Sequence, residues 1–141
     1  MSNENRDERI AESFERKIDA SDARAERREE HIEKHLENQE AHYANRAERA
    51  VEHAEAVADR AEAHLEHLAE KGVSSDRLSH AEARAEHRVE KAAEHAGDVV
   101  EREIANAVAA EEKAAERAVK NAAKNFDHDA QLADRAAKKL S

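Results

Sequence analysis

The amino-acid sequence predicts an all-α protein, a long antiparallel helical hairpin whose two helices of about 65–70 residues form an Ala-rich coiled coil. Three observations support this prediction. The chain of 141 residues has no Pro and only 2 Gly, and it is rich in Ala, Glu, Arg and Lys, which are strong helix formers. Apolar residues recur every 11 positions in the first half of the chain. A single strong helix-breaking segment lies near the midpoint, at Gly72.

Large apolar residues are scarce in this chain. It has 6 Leu, 4 Ile, 8 Val and 2 Phe, or 20 of 141 residues. This fraction lies below the roughly 20 % under which highly charged chains tend to remain disordered. A thick globular core is therefore not expected. The sequence predicts instead a thin seam between helices, lined mostly by Ala, and it leaves open a chain that is disordered in isolation.

The first helix, predicted over about residues 3–71, carries an 11-residue repeat. Six consecutive segments align from Arg9 onward, and the fifth reads "HAEAVADRAEA". The second and sixth positions of each segment lie four residues apart, so they form one stripe on the helix. Eleven residues make three turns at about 3.67 residues per turn, close to the 3.6 of an α-helix, so the stripe keeps facing one partner. The two positions hold Ile10, Ser21, Ile32, Tyr43, Ala54 and Leu65, and Phe14, Ala25, Leu36, Ala47, Ala58 and Ala69.

The seventh position of the repeat is always acidic, and the eighth is basic in five of six segments. We interpret these Glu-Arg doublets as part of a solvated face that forms ion pairs between residues four apart. Each such pair contributes about 0.2–0.5 kcal/mol to helix stability.

The turn is predicted at residues 72–75, within the segment "EKGVSSDRLSHAE". Gly72 accepts the left-handed backbone conformation that ends many helices. Ser74 and Ser75 are both candidate N-caps of the second helix. The later segment "SHAE" also matches a capping box, which leaves open a later helix start.

The second helix, predicted over about residues 76–139, keeps the 11-residue period less regularly. Two series stand out, one of Ala residues that begins at Ala85 and one that begins at Ala93 and includes Ile104 and Phe126. Gly97 and the segment "KNFDHDAQ" are weaker breaks. They leave a bundle of three or four shorter helices as the alternative architecture. In the preferred hairpin, residues 1–141 form a single elongated helical unit.

Antiparallel pairing about the turn makes residue numbers of facing positions sum to about 147. Bulky residues then gather at the open end and at the turn. Phe14→Asp or Phe126→Asp is therefore expected to loosen the open end more than any single His replacement, such as His53→Asn. The residues predicted to carry packing or an interface are Ile10, Phe14, Ile32, Leu36, Tyr43, Leu65, Leu68, Ile104, Phe126 and Leu132.

The charge and the apolar pattern exclude several partners. The formal net charge is −10 with 10 neutral His, and nucleic-acid binding is not expected because it requires a basic footprint. The longest purely apolar run, Ala107 to Ala110, is far too short to span a membrane. Membrane-surface binding is not expected either, since that needs a bulky apolar face with a basic border. No signal peptide is evident, so an intracellular, cytoplasmic location is the default.

The histidines are candidate metal ligands. Only His31 with His35, and His64 with His67, have spacings that place two rings on one side of a helix. His80, across the turn, would complete a three-His site with His64 and His67 for a divalent metal such as zinc or copper. The alternative is that these side chains are half-polar residues on a solvated flank.

Catalysis is not predicted. The chain lacks Cys and Pro and has only 2 Gly, so it offers no thiol nucleophile and no glycine-rich phosphate loop. Carboxylates are so numerous that none stands out as a tuned acid or base. A narrow Ala seam leaves no room for a small-molecule substrate. No cofactor is expected apart from the divalent metal.

The sequence therefore predicts a non-enzymatic structural or interaction protein. It would associate with further copies, or with another helical protein, into a bundle or filament. Protonation of His near its usual pKa of about 6.5 would reduce the net negative charge and make this association pH-responsive. Two alternatives remain: a protectant chain, or lipid-surface helix, that becomes helical on drying or on a lipid surface, and a His-mediated metal binder. The 11-residue pattern resembles that of right-handed coiled coils, desiccation protectants and lipid-surface helices in periodicity alone.

Overall fold

The computed structural model describes residues 3–141 and consists of two helices, α1 (Asn3–Glu70) and α2 (Ser75–Leu140). They pack against each other as a hairpin, and residues 3–141 contain no strand. The predicted all-α fold, a hairpin of two long helices, is confirmed. α2 continues through Gly97 and through the segment around Asp127, so neither weak break interrupts the helix. Within this range, neither helix has a segment long and apolar enough to cross a membrane.

α1 ends in a Schellman motif centred on Gly72. The Gly72 N–H donates to the carbonyl oxygen of Ala69 at 3.1 Å, and the Val73 N–H donates to that of Leu68 at 3.5 Å. Gly72 has φ of 69°, in the left-handed region where a Cβ atom is strained. Leu68 and Val73 are both partly buried, which matches the apolar contact that usually accompanies this motif.

α2 begins with Ser74 as its N-cap. The Arg77 N–H donates to the Ser74 hydroxyl oxygen at 3.4 Å, and the Leu78 N–H donates to the Ser74 carbonyl oxygen at 3.0 Å. Asp76 lies in the first turn, where a negative charge interacts favourably with the helix dipole. The structure therefore selects the earliest of the three possible helix starts that the sequence allowed.

The 11-residue period of α1 coincides with burial. The second position of the repeat is at least partly buried in all six segments, and the sixth position is so in five, Ala69 being exposed. On α2 the facing series also has a spacing of 11 residues. It consists of Ala81, Ala92, Glu103, Ala114, Asn125 and Ala136, each at least partly buried.

Two predicted packing residues lie outside this seam. Ile104 and Phe126 are 59 % and 73 % exposed. Each follows a seam residue, Glu103 or Asn125, by one position, and one residue rotates a side chain by about 100° around a helix. These two side chains therefore do not pack within the hairpin, and of their two predicted roles only contact with another molecule is left. Of the remaining predicted packing residues, Phe14 and Leu132 are buried, and partly buried are Ile10, Ile32, Leu36, Tyr43, Leu65 and Leu68.

The hairpin contains two compact units, and each helix contributes to both. We call the first the terminal unit (Met1–Asn38 with Ala110–Ser141) and the second the turn unit (Gln39–Ala109). Each unit has its own seam between α1 and α2.

Candidate interaction surfaces

A layer of polar side chains crosses the seam of the terminal unit. The Ser21 hydroxyl donates to Asn125 Oδ1 at 3.1 Å, and Asn125 Nδ2 donates to Asp22 Oδ1 at 3.0 Å. One turn earlier on α2, Asn121 Nδ2 donates to the Ala25 carbonyl oxygen at 3.0 Å. Such bonds form only when the helices pair in one register, so the layer specifies the alignment of α1 with α2.

Asp129 extends this layer and shares a hydrogen bond with Asp22. That bond, together with desolvation, raises the pKa of Asp129 above 3.8, and the Asp22 charge acts in the same direction. The same hydrogen bond, with a second from Asn125, lowers the pKa of Asp22 below 3.8. A proton shared by the two carboxylates therefore resides preferentially on Asp129.

Replacing Asp129 with Asn is expected to stabilise the protein at pH 7, because the amide donates to Asp22 without having to bind a proton. A raised folded-state pKa stabilises the native protein as pH falls toward that pKa, and this contribution is lost as pH rises through it. The increase in melting temperature should therefore be largest near pH 7 and smaller near pH 4.5. The exposed neighbour Asp127→Asn serves as the control, and a less stable Asp129→Asn protein at pH 7 would contradict the shared-proton assignment.

The turn unit contains a buried carboxylate in its seam. Glu103 is only 2 % exposed. Its Oε1 lies 3.5 Å from the Arg46 Nε and 3.8 Å from the Arg102 Nε, and its Oε2 accepts a hydrogen bond from Asn106 Nδ2 at 3.3 Å. The other α2 seam positions around it, Ala92 and Ala114, hold only methyl groups. Glu103 thus requires Arg46 opposite it on α1, which specifies register at that level.

A basic cleft lies on one side of the seam in the terminal unit. Its volume is about 270 Å³, and its lining residues are Ser21, Arg24, Arg28, Lys124, Asn125 and His128. Four of these six side chains are bases, and none is acidic.

An acidic groove of about 840 Å³ also lies along the seam of the terminal unit. Four carboxylates line it, and its apolar lining includes Ile18, several Ala residues and the exposed ring of Phe126. The carboxylates are Asp22, Glu26, Glu29 and Asp129.

The whole terminal unit shows this separation of charge. All eight Lys and Arg residues of α1 before residue 38 lie on one side that spans roughly 120° of the helix, and the acids lie on the rest. The seven Lys and Arg residues of α2 after residue 110 occupy a side of roughly 100°. Because Arg24 and Lys124 line the same cleft, the two basic sides border each other. We call them together the basic side of the terminal unit, and the groove side its acidic side.

The separation of charge gives the recurring Glu-Arg doublets a different role from the ion pairing between residues four apart that the sequence predicted. Neighbouring residues point about 100° apart on a helix, so each doublet directs its acid and its base to different sides. Among residues 3–141, the ion pair between residues four apart is that of Lys138 Nζ with Asp134 Oδ2 at 3.4 Å. The chief effect of the doublets is therefore to place acidic and basic side chains on different sides of the helix.

Bulky apolar side chains stand exposed on α2 of the terminal unit, with Val119 at 69 %, Phe126 at 73 % and Leu140 at 41 %. Val119 and Phe126 lie seven residues apart, so they share one side of the helix, bordering the acidic groove that Phe126 lines. With the apolar part of the groove lining, they give this side exposed apolar area next to its carboxylates.

A second basic cleft lies in the turn unit. Its volume is about 280 Å³, and α1 and α2 each contribute four lining residues. The residues are Val57, Arg60, Ala61, His64, Ala81, Arg84, Ala85 and Arg88.

The predicted metal ligands are not brought together. All ten His side chains are exposed, and no group of three potential ligands forms a metal site among residues 3–141. His64 lines the turn-unit cleft, whereas His67 and His80 do not. Its neighbours there, Arg60 and Arg84 among them, would repel a cation. His31 and His35 lie on the basic side of the terminal unit by helical spacing.

Sequence reasoning missed three of these features: the Ser21–Asn125 layer, the Asp22–Asp129 pair and buried Glu103. A signal existed for the first, since Ser21 is the one polar residue at the second position of the repeat. No comparable signal marks Glu103 or Asp129 in a chain with 34 acidic residues.

No protein-family model, curated protein or solved structure matches this chain.

Proposed function

We propose that this protein is a non-enzymatic structural protein that associates side by side with further copies of itself. The acidic side of one terminal unit packs on the basic side of the next. The observation that carries the proposal is the separation of charge, with one cleft lined by Arg24, Arg28 and Lys124 and one groove lined by Asp22, Glu26 and Glu29. A surface of each sign on one molecule is complementary to the other surface on a second copy.

The exposed apolar side chains fit the same contact. Phe126 and Val119 border the acidic groove, and the long side chains of Arg and Lys present aliphatic stems below their charged ends. A basic side laid on the groove therefore covers these apolar groups while its charges meet Glu26 and Glu29. This contact is heterologous, because two different surfaces meet. Contacts of this kind repeat without closing unless the rotation forms a ring, so filaments are the expected product.

The positions of the histidines predict how the strength of association changes with pH. His31, His35 and His128 lie on the basic side of the terminal unit, where protonation adds positive charge opposite the carboxylates of the next copy. Because a lower pH favours the protonated form of histidine, association is expected to strengthen as the pH falls.

Paired charge reversals test the proposal. The variant Glu26→Lys/Glu29→Lys makes both sides basic, and Arg24→Glu/Arg28→Glu makes both sides acidic. Each variant alone is expected to self-associate about tenfold or more weakly than the native chain, because like charges then meet. An equimolar mixture is expected to assemble again, since each variant supplies the surface that the other lacks. Light scattering and sedimentation at low salt measure the mass against the 15.8 kDa of one chain.

The matched control is Glu62→Lys/Glu66→Lys, which changes the net charge equally but lies in the turn unit. It should assemble like the native chain. A native protein that stays at the mass of one chain at high concentration and low salt would overturn the proposal. So would a mixture of the two variants that assembles no better than either variant alone, since that result implies a contact between like surfaces.

A further inference from the structure

The turn-unit cleft has a lining that the composition of the chain does not favour. The protein has 34 acidic and 24 basic residues besides 10 His. The four charged or titratable residues that line the cleft are nevertheless all bases: Arg60, His64, Arg84 and Arg88. Each helix supplies two of them, four residues apart. The remaining lining residues are apolar, namely Val57, Ala61, Ala81 and Ala85.

The three arginines have no acidic partner among the residues that the structure describes. Among residues 3–141, no carboxylate oxygen lies within 4.0 Å of the Arg60, Arg84 or Arg88 guanidinium. Like charges four residues apart destabilise a helix, and here Arg84 and Arg88 also line one cleft with Arg60 of the other helix. An anion between the helices would remove this repulsion.

The chemistry of the lining selects the kind of anion. Arginine presents a planar fork of N–H donors that matches the geometry of an oxyanion such as phosphate bidentately. The floor of Ala and Val side chains excludes water from beneath the guanidinium groups and so strengthens the attraction. A cleft of about 280 Å³ exceeds the roughly 30 Å³ that one water occupies in the liquid, so it accommodates a phosphate group with part of its hydration shell.

We propose that the turn-unit cleft is a binding site for a phosphate-class oxyanion, held by the guanidinium groups of Arg60, Arg84 and Arg88 and by a ring N–H of His64. The site lies in the turn unit, apart from the surfaces proposed for self-association, and does not depend on them. A free inorganic anion and an anionic lipid headgroup carry the same chemistry, so the experiment must separate the two sources.

The test uses the full chain and two probes. Isothermal calorimetry with inorganic pyrophosphate at low salt measures the free anion, and co-sedimentation with phosphatidic acid vesicles, against phosphatidylcholine vesicles, measures the headgroup. At least one probe is expected to bind, and Arg84→Gln/Arg88→Gln is expected to weaken that binding tenfold or more. The control, Arg49→Gln/Arg77→Gln, removes two arginines of the same unit that do not line the cleft, and it should bind as the native chain does.

Circular dichroism establishes that each variant keeps its helices, so a loss of binding is not a loss of fold. The measurements are repeated in Glu26→Lys/Glu29→Lys, where self-association is expected to be weak, so the two proposals succeed or fail separately. Three results would overturn the site: no binding of either probe by the native chain, equal weakening in the control, or unchanged binding in Arg84→Gln/Arg88→Gln. Binding to one probe alone supports the site and identifies its source.

Discussion

Phe14→Ala is expected to lower the free energy of unfolding by about 3 kcal/mol or more, whereas Phe126→Ala should change it by less than about 0.5 kcal/mol. Phe14 is 5 % exposed, and Phe126 is 73 % exposed. Truncation at Phe14 removes buried area and leaves a cavity that the stiff helices fill poorly. The Lys17 and Lys139 ammonium groups, 4.8 Å and 5.5 Å from the Phe14 ring centroid, also lose their cation–π contacts, each worth about 0.5–1 kcal/mol.

Guanidinium chloride unfolding followed by circular dichroism measures this difference, because the high ionic strength suppresses association through charged surfaces. His53→Asn, on the exposed part of α1, is the control and should behave like the native chain. Equal destabilisation by the two Phe replacements would mean that Phe126 packs within the hairpin. The sequence predicted that replacing either ring with Asp loosens the open end more than a His replacement does, and the burial of the two rings supports this for Phe14 alone.

Arg46→Ala is expected to destabilise the turn unit by about 1–2 kcal/mol, and Glu103→Ala is expected to be neutral or to stabilise it by up to about 1 kcal/mol. Removing Arg46 leaves the buried Glu103 carboxylate with Arg102 at 3.8 Å and one amide donor. The estimate for Arg46 lies below that for a fully buried pair, since its side chain is 50 % exposed. Alanine at 103 repeats the residue found at Ala92 and Ala114 and removes a charge from a nearly dry environment.

The double variant Arg46→Ala/Glu103→Ala completes a thermodynamic cycle. It is expected to be as stable as Glu103→Ala, because Arg46 matters chiefly as the partner of the buried charge. Thermal melts of the four proteins measure the coupling. A double variant with the summed effects of the two single changes would show that the two side chains act independently, and a strongly destabilised Glu103→Ala would show that the carboxylate is a net stabilising group.

The sequence by itself determined the helices and the turn. Without Pro, and with its only glycines at 72 and 97, the chain has one position where a helix is both free to end and followed by a capping serine. Gly72 accepts the left-handed conformation and the Ser74 hydroxyl accepts the Arg77 N–H in the first turn of α2, and both effects are local. The 11-residue stripe of α1 was equally readable, because Ile10, Ile32 and Leu65 contrast with the charged residues around them.

Only the tertiary structure decided which side of α2 faces α1. The sequence shows two series with an 11-residue spacing there, one of Ala residues from Ala85 to Ala118 and one from Ala93 that includes Ile104 and Phe126. Hydropathy favours the second, but the first is at least partly buried at every member. An Ala methyl group contributes only about 0.8 kcal/mol on burial, so the Ala series does not fix the rotation by itself. The observed rotation also buries Val99 and Leu132, and it forms the hydrogen bonds from Asn125 and Asn121 to α1 and the Arg46–Glu103 pair.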